Sequence, residues 1–247
     1  MKIYKNYFAI IIILSLTFSY LSSIKAAESV TLNSANLGRT YDGLGGLESY
    51  GKLLFDYPEQ QRNEILDYLF LPNYGASLQI LKMTIGCDGN DAGGSWPSHR
   101  RSLDETPNYK RGYGWWMMKE AKKRNPNIQL SALNWGYPGY ATTDELKAQF
   151  IFEYVKGAKD VHGLILDHIG GNQNESEIMP GVTKLLRQKL DAGGLGSVKI
   201  IAADEGAQTL KFNVITTLQN DPAYAAAVDI IGVHYKARAG DDPIMNG

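Results

Sequence analysis

VKIIAAD, residues 198–204, and VDIIGV, residues 228–233, are apolar runs with no inward–outward alternation. A strand that is apolar on both faces is covered on both faces, which is the condition of a parallel sheet wrapped by helices. Working outward, such stretches alternate with helical ones. Strands are expected at 40–46, 76–86, 128–136, 164–171, 198–204 and 227–235. Helices are expected at 58–70, 112–126, 142–160, 176–194 and 206–220. Pro58 stands at a helix start, Thr142 and Glu145 form a capping box, and Gly193-Gly194 closes a helix. Six strands alternating with five helices indicate one α/β domain, either an open doubly wound sheet or a closed barrel.

The glycines choose between these two. An open dinucleotide fold carries G-x-G-x-x-G after an early strand, and GLGGLES (43–49) does not match it. A barrel puts its chemistry on the loops after each strand. Those positions hold Gly45-Gly46, Asp88, Asn134-Trp135, Asn174-Glu175, Asp204-Glu205 and His234-Tyr235. The expected fold is therefore a (β/α)8 barrel.

The 247 residues carry a net charge of −1 without a long basic run, which argues against nucleic acid as a partner. The single cysteine, Cys87, excludes an intrachain disulfide and a cysteine-based metal site. The N-terminus reads as a secretory signal peptide: Lys2 and Lys5, then FAIIIILSLTFSYL (8–21), then small residues before a cleavage point near Ala26 or Ala27. Its apolar run is shorter than the about 20 residues of a membrane span. The expectation is a mature domain, residues 27–247, that is secreted or otherwise extracytoplasmic, in a lysosomal or periplasmic equivalent, with no stable membrane span.

DHIGGNQNES (167–176) poses the functional question: an apolar strand stops, and amides and one acid come after it. Glycoside cleavage needs a carboxyl group to protonate the leaving oxygen and another to attack or to activate water. Glu175 suits the first role, and Asn174 could hold a sugar 2-hydroxyl. Alone, Asn174-Glu175-Ser176 would read as a helix cap. Its place after the fourth strand, with Trp135 one strand earlier, favours the site. Trp135 could stack on a sugar face or fill the core. His234 could meet a carboxylate from the next strand or lie satisfied in the interior. Glu205 is either a second carboxylate or a cap for the next helix. Asp88, Asn90 and Asp91 hint at calcium, but His99 stands where an EF-hand has glutamate.

The segments DGLGG (42–46), ILDYLFLPNYGASLQILKMTIGCDG (65–89), PSH (97–99), RGYGWWMMKEAKKRNPNI (111–128), LNWGYPG (133–139), DHIGGNQNES, VKIIAAD and VDIIGVHY (228–235) together resemble glycoside hydrolase family 59, of the clan of retaining (β/α)8 enzymes. The resemblance implies a galactosylceramidase-like hydrolase that removes β-linked galactose from galactosylceramide or a related galactolipid or galactoside, with no cofactor or metal. Whether a lipid-presenting protein is a further partner is a question the sequence leaves open. By position, Glu175 corresponds to the acid/base and Asn174 to its sugar-binding neighbour. Trp135 corresponds to the galactose-stacking aromatic and Ser95 to a hydroxyl contacting galactose. Gly45 or Gly46 falls where backbone meets the sugar, and His234 matches the histidine ending the sixth strand.

The chain departs from the family pattern in several places. The loop after the first strand is shorter, and Leu47, Glu48 and Ser49 stand where the family is richer in glycine. One residue is inserted before Asn174, and Gln173 replaces an aromatic. The family's nucleophile, a Glu after the seventh strand, has no counterpart before Gly247. The expectation is thus about six of eight β/α units, truncated before strands seven and eight, with the fragment alone inactive. The alternatives are another retaining β-glycosidase of the clan, or a non-catalytic glycan-binding or degenerate protein.

Overall fold

The computed structural model describes residues 40–48, 51–91, 94–204 and 213–234, with Ala35 and Gly38 besides. The signal segment, Glu205 and Tyr235 lie outside the described residues. By internal contacts the chain divides into Met1–Asp42 and Gly43–Gly247, and every described element lies in the second unit.

In chain order these elements are β1 (Gly45–Leu47), α1 (Gly51–Asp56), α2 (Glu59–Phe70), β2 (Ile80–Ile85), β3 (Asn90–Asp91), β4 (Gly94–Ser95), α3 (Gly114–Arg124) and β5 (Gln129–Asn134). Then come α4 (Asp144–His162), β6 (His168–Gln173), α5 (Pro180–Ala192), β7 (Lys199–Ala202), α6 (Asn213–Asn220), α7 (Pro222–Ala227) and β8 (Ile230–Ile231). The short β3–β4 pair is an antiparallel hairpin. The main sheet runs β1-β2-β5-β6-β7-β8 and every pairing in it is parallel. No strand is added out of turn. A doubly wound sheet reverses its order at a switch point, whereas crossovers of one hand that always step the same way build a barrel wall. The fold is an incomplete (β/α)8 barrel.

The alternation inside each strand separates two faces. Leu81, Met83 and Ile85 of β2 are buried with Met118 of α3, Ile151 of α4 and Leu186 of α5. That is the sheet-to-helix core. The intervening residues of β2, Lys82 and Thr84, take the opposite face. Within the main sheet the outermost described strands are the shortest, with three residues in β1 and two in β8.

Polar side chains start several of these strands. Asp167 Oδ2 accepts from Leu130 N at 2.8 Å, Asp229 Oδ2 accepts from Ile200 N at 2.8 Å, and Gln79 Oε1 accepts from Leu44 N at 2.7 Å. Each acceptor stands just before a strand; Asp167 and Asp229 pair an N–H of the neighbouring strand, and Gln79 pairs that of Leu44 just before β1, groups that would otherwise lack a partner at the sheet's lower rim. This explains one boundary difference. The strand expected at 164–171 is His168–Gln173, because the side chain of Asp167 takes up the ladder position below it.

Three further expectations shift. The first strand begins at Gly45, since Gly43 at φ 127 turns the chain just before it, so the glycine pair opens the strand. The cap of α4 is Thr143, not Thr142: its side chain accepts from Leu146 N at 3.3 Å. At the other end of α4, Gly163 at φ 67 turns the chain so that Leu164 N reaches Ala158 O at 2.9 Å. The helix expected at 206–220 is described only as Asn213–Asn220. Among the described residues no helix is long and apolar enough to cross a membrane.

Candidate active site

The adjacent upper ends of β5 and β6 are joined by backbone. Asn134 pairs with Gln173, and Asn174 N donates to Asn134 O at 2.8 Å. The register slips between them: two steps along β5, from Ala132 to Asn134, match four along β6, from Ile169 to Gln173. The irregular stretch of β6 is Gly170, Gly171 and Asn172. Glycines fill it for a steric reason, since a Cβ on Gly170 would meet Leu133 Cδ1 at 2.3 Å. Such a bulge bends a strand and re-aims the residues beyond it.

The residue it re-aims is Glu175, at φ 51, in the left-handed region that a residue with a Cβ rarely takes. Its N–H donates to Asp204 Oδ2 at 3.2 Å. Its side chain is 45% exposed, and Oε1 lies 3.6 Å from His234 Nε2, just beyond hydrogen-bond range. Asp204 comes directly after Ala203, itself left-handed at φ 60. The Asp204 side chain, only 10% exposed, has Lys82 Nζ at 3.8 Å and His234 Nε2 at 4.0 Å. Glu175, Asp204 and His234 therefore meet from the ends of β6, β7 and β8, with Lys82 reaching across from β2.

Asn174 contributes more than its backbone. Its Oδ1 is buried and makes no hydrogen bond among the described residues. An amide oxygen in that state costs free energy unless a donor comes to it.

Trp135 is half-buried and stacked on buried Trp96, with centroids 6.3 Å apart and planes 26° from parallel. Ser95, exposed in β4, precedes Trp96 and ties that hairpin to the aromatic pair. Gly45 and Gly46 sit opposite Ile80 and Leu81 at the sheet's edge, three strand places from β6. Asp88 is taken up by Arg101, whose Nε and Nη2 donate to it at 2.8–3.1 Å. His99 of the same polar stretch is buried against Phe150, ring centroids 4.3 Å apart, and burial pushes its pKa down to about 3.

Sequence reading did not single out Lys82. Asp204 was visible only as one of a pair with Glu205. The available signal was charge in unlikely places: a lysine inside an apolar strand, ILKMTI, and an aspartate ending VKIIAAD.

The family model of glycosyl hydrolase family 59 matches residues 41–245. A galactocerebrosidase of Salmo salar is 43% identical over 245 residues, covering 94% of this chain and 35% of that protein. A galactocerebrosidase of Homo sapiens is 44% identical over 215 residues, covering 82% and 30%. The chain thus spans about a third of the length of the curated relatives it matches. Among solved structures, an endo-β1,6-glucanase superposes with TM-score 0.68 at 18% identity, covering 84% of this chain and 54% of that one. The catalytic domain of a GH30 xylanase C from Talaromyces cellulolyticus gives 0.61 at 17% identity, covering 81% and 54%. These two likenesses concern the fold alone. With the sequential parallel sheet, the strand-end carboxyl groups and a family match over most of its length, the chain belongs to glycosyl hydrolase family 59.

Proposed function

We propose that this chain carries the acid/base half of a retaining β-glycosidase that releases galactose from galactosylceramide or a related galactoside. The observation that carries the reading is Glu175: a half-exposed carboxyl group at the end of β6, beside His234 and next to the orphaned Asn174 Oδ1. In the first step Glu175 gives its proton to the glycosidic oxygen as the bond to the anomeric carbon breaks. The attacking carboxylate belongs, on this reading, outside the described residues. In the second step Glu175 takes a proton from water, which then displaces the enzyme carboxylate from the sugar.

Asn174 Oδ1 accepts from a sugar hydroxyl, a bond that tightens as positive charge grows at the anomeric carbon. The exposed face of Trp135, backed by Trp96, takes the apolar face of the ring. Ser95 contributes a hydroxyl beside the aromatic pair. The names of the relatives support a galactolipid substrate, and the signal-like N-terminus supports export to an extracytoplasmic compartment. A lipid-presenting protein as partner belongs to the same proposal.

The test is the Glu175→Gln variant of the full-length protein on two galactosides. Cleavage of one with a poor leaving group should fall about 10²–10⁴-fold. One with an activated phenol, which needs little protonation, should suffer much less. Equal losses on both would remove Glu175 from the acid role.

A further inference from the structure

We propose that Asp204, held by Lys82, is a positioning residue for the Glu175 carboxyl group. The proposal rests on the reading of Glu175 as the acid/base. Two strained residues point to it. Glu175 at φ 51 and Ala203 at φ 60 are both non-glycine residues in the left-handed region, and they end neighbouring strands. Such backbone persists only where its surroundings over-determine it. A bond that joins these two loops is Glu175 N–H to Asp204 Oδ2, at 3.2 Å. Without it, the backbone of Glu175 would be free to relax toward ordinary φ, and the carboxyl group would swing with it.

Asp204 is itself fixed by charge. A carboxylate that is only 10% exposed needs compensation. Among the described residues three groups face it: the Glu175 N–H, Lys82 Nζ at 3.8 Å and His234 Nε2 at 4.0 Å. Lys82 comes from β2, three strand places from β7. On a flat sheet those strands would stand about 14 Å apart. The ion pair therefore spans the concave face of the curled sheet and ties its wall to the loop that carries Glu175. A purely structural ion pair would have no reason to end on the one backbone N–H of the acid residue.

The experiment compares Asp204→Ala, Asp204→Asn and Lys82→Met with the parent protein, first by hydrogen exchange over residues 172–178. Asp204→Ala should raise exchange of that segment at least about tenfold, with the rest of the sheet unchanged. Asp204→Asn, which keeps an oxygen to accept from Glu175, should give a smaller rise. In the full-length protein, Asp204→Ala should lower kcat on a poor-leaving-group galactoside about 10²-fold, the scale of a misplaced reacting group, with KM little changed. The activated phenol should lose much less.

A folded Asp204→Ala protein with parental exchange and a parental leaving-group profile overturns the proposal. Should that variant fail to fold, Asp204→Asn and Lys82→Met decide by the same two readouts. If Glu175→Gln leaves poor-leaving-group cleavage intact, the acid/base reading fails, whereas normal loss there with a silent Asp204 series sinks only the positioning role.

Discussion

Two regions of this molecule are rich in titratable and aromatic groups, and they are built in opposite ways. The first surrounds Trp115 in α3. Trp115 packs at a 30° tilt on Tyr154, ring centroids 4.5 Å apart, and stacks on His162 at 4.8 Å; its Nε1 donates to Arg111 O at 3.0 Å. Tyr109 packs so closely on α4 that a Cβ at Gly157 would overlap its ring. Burial pushes the Tyr109 hydroxyl up to about 12 and lowers the His162 pKa. Groups held neutral in this way hold shape rather than move protons. The second region, at the ends of β6, β7 and β8, holds two left-handed residues and brings Glu175, Asp204, His234 and Lys82 close to one another. The segment RGYGWWMMKEAKKRNPNI (111–128), one of those that carry the family resemblance, lies in the first region, while the chemistry is ascribed to the second. A motif can name a family through its packing without touching a substrate.

The sharpest way to break this comparison is truncation in the packed region. Trp115→Ala should cost about 3–5 kcal/mol of stability, the usual range for removing a large core aromatic. Glu175→Gln, at a 45% exposed side chain, should leave the unfolding midpoint close to the parent's. Thermal or urea unfolding of both variants checks this. A Trp115→Ala protein as stable as the parent, or a Glu175→Gln protein that unfolds early, would reverse the assignment of the two regions.

A smaller effect, graded by pH, sharpens it. His99 is neutral in the folded chain, its pKa lowered by burial from 6.5 to about 3. Below about pH 6.5 the unfolded chain takes up a proton there that the folded chain does not. Stability from this group is complete above about pH 6.5 and declines as pH falls toward about 3, by about 1.4 kcal/mol per pH unit. In His99→Gln that part of the slope should vanish whatever the variant's absolute stability. Urea unfolding from about pH 7 to about pH 4 reads the difference, and identical slopes would contradict a buried neutral His99.

The barrel wall was legible because its strands leave unbroken apolar runs, and because helix periodicity fills the gaps between them. VDIIGV is nonetheless not buried on both faces, since Ile231 in the last described strand and Val233 just after it are exposed. Strand starts were less legible. Asp167 and Asp229 look like loop residues in sequence, yet each substitutes a side chain for a ladder partner. The choice between Thr142 and Thr143 as cap turned on a single hydrogen bond. Glu175, Asn174, Trp135 and His234 could be nominated because each stands at a strand end. Lys82 could not, since its meaning depends on curvature that brings β2 to β7 from far apart in the chain, and no local pattern encodes that. Nor does sequence reveal that Glu175 is left-handed, a conformation imposed by the β6 bulge and Asp204 together.

The central claim, that Glu175 is the acid/base of a retaining glycosidase, is tested most directly by azide rescue of Glu175→Ala in the full-length protein with an activated aryl galactoside. Loss of the carboxyl group removes the base that activates water in the second step and opens space for a small anion that needs no base. The account predicts that azide accelerates turnover and that the product is the β-galactosyl azide, of retained configuration. An α-galactosyl azide would show that azide had replaced the attacking group, making Glu175 the nucleophile; no acceleration and no azide adduct would contradict its place in the reaction.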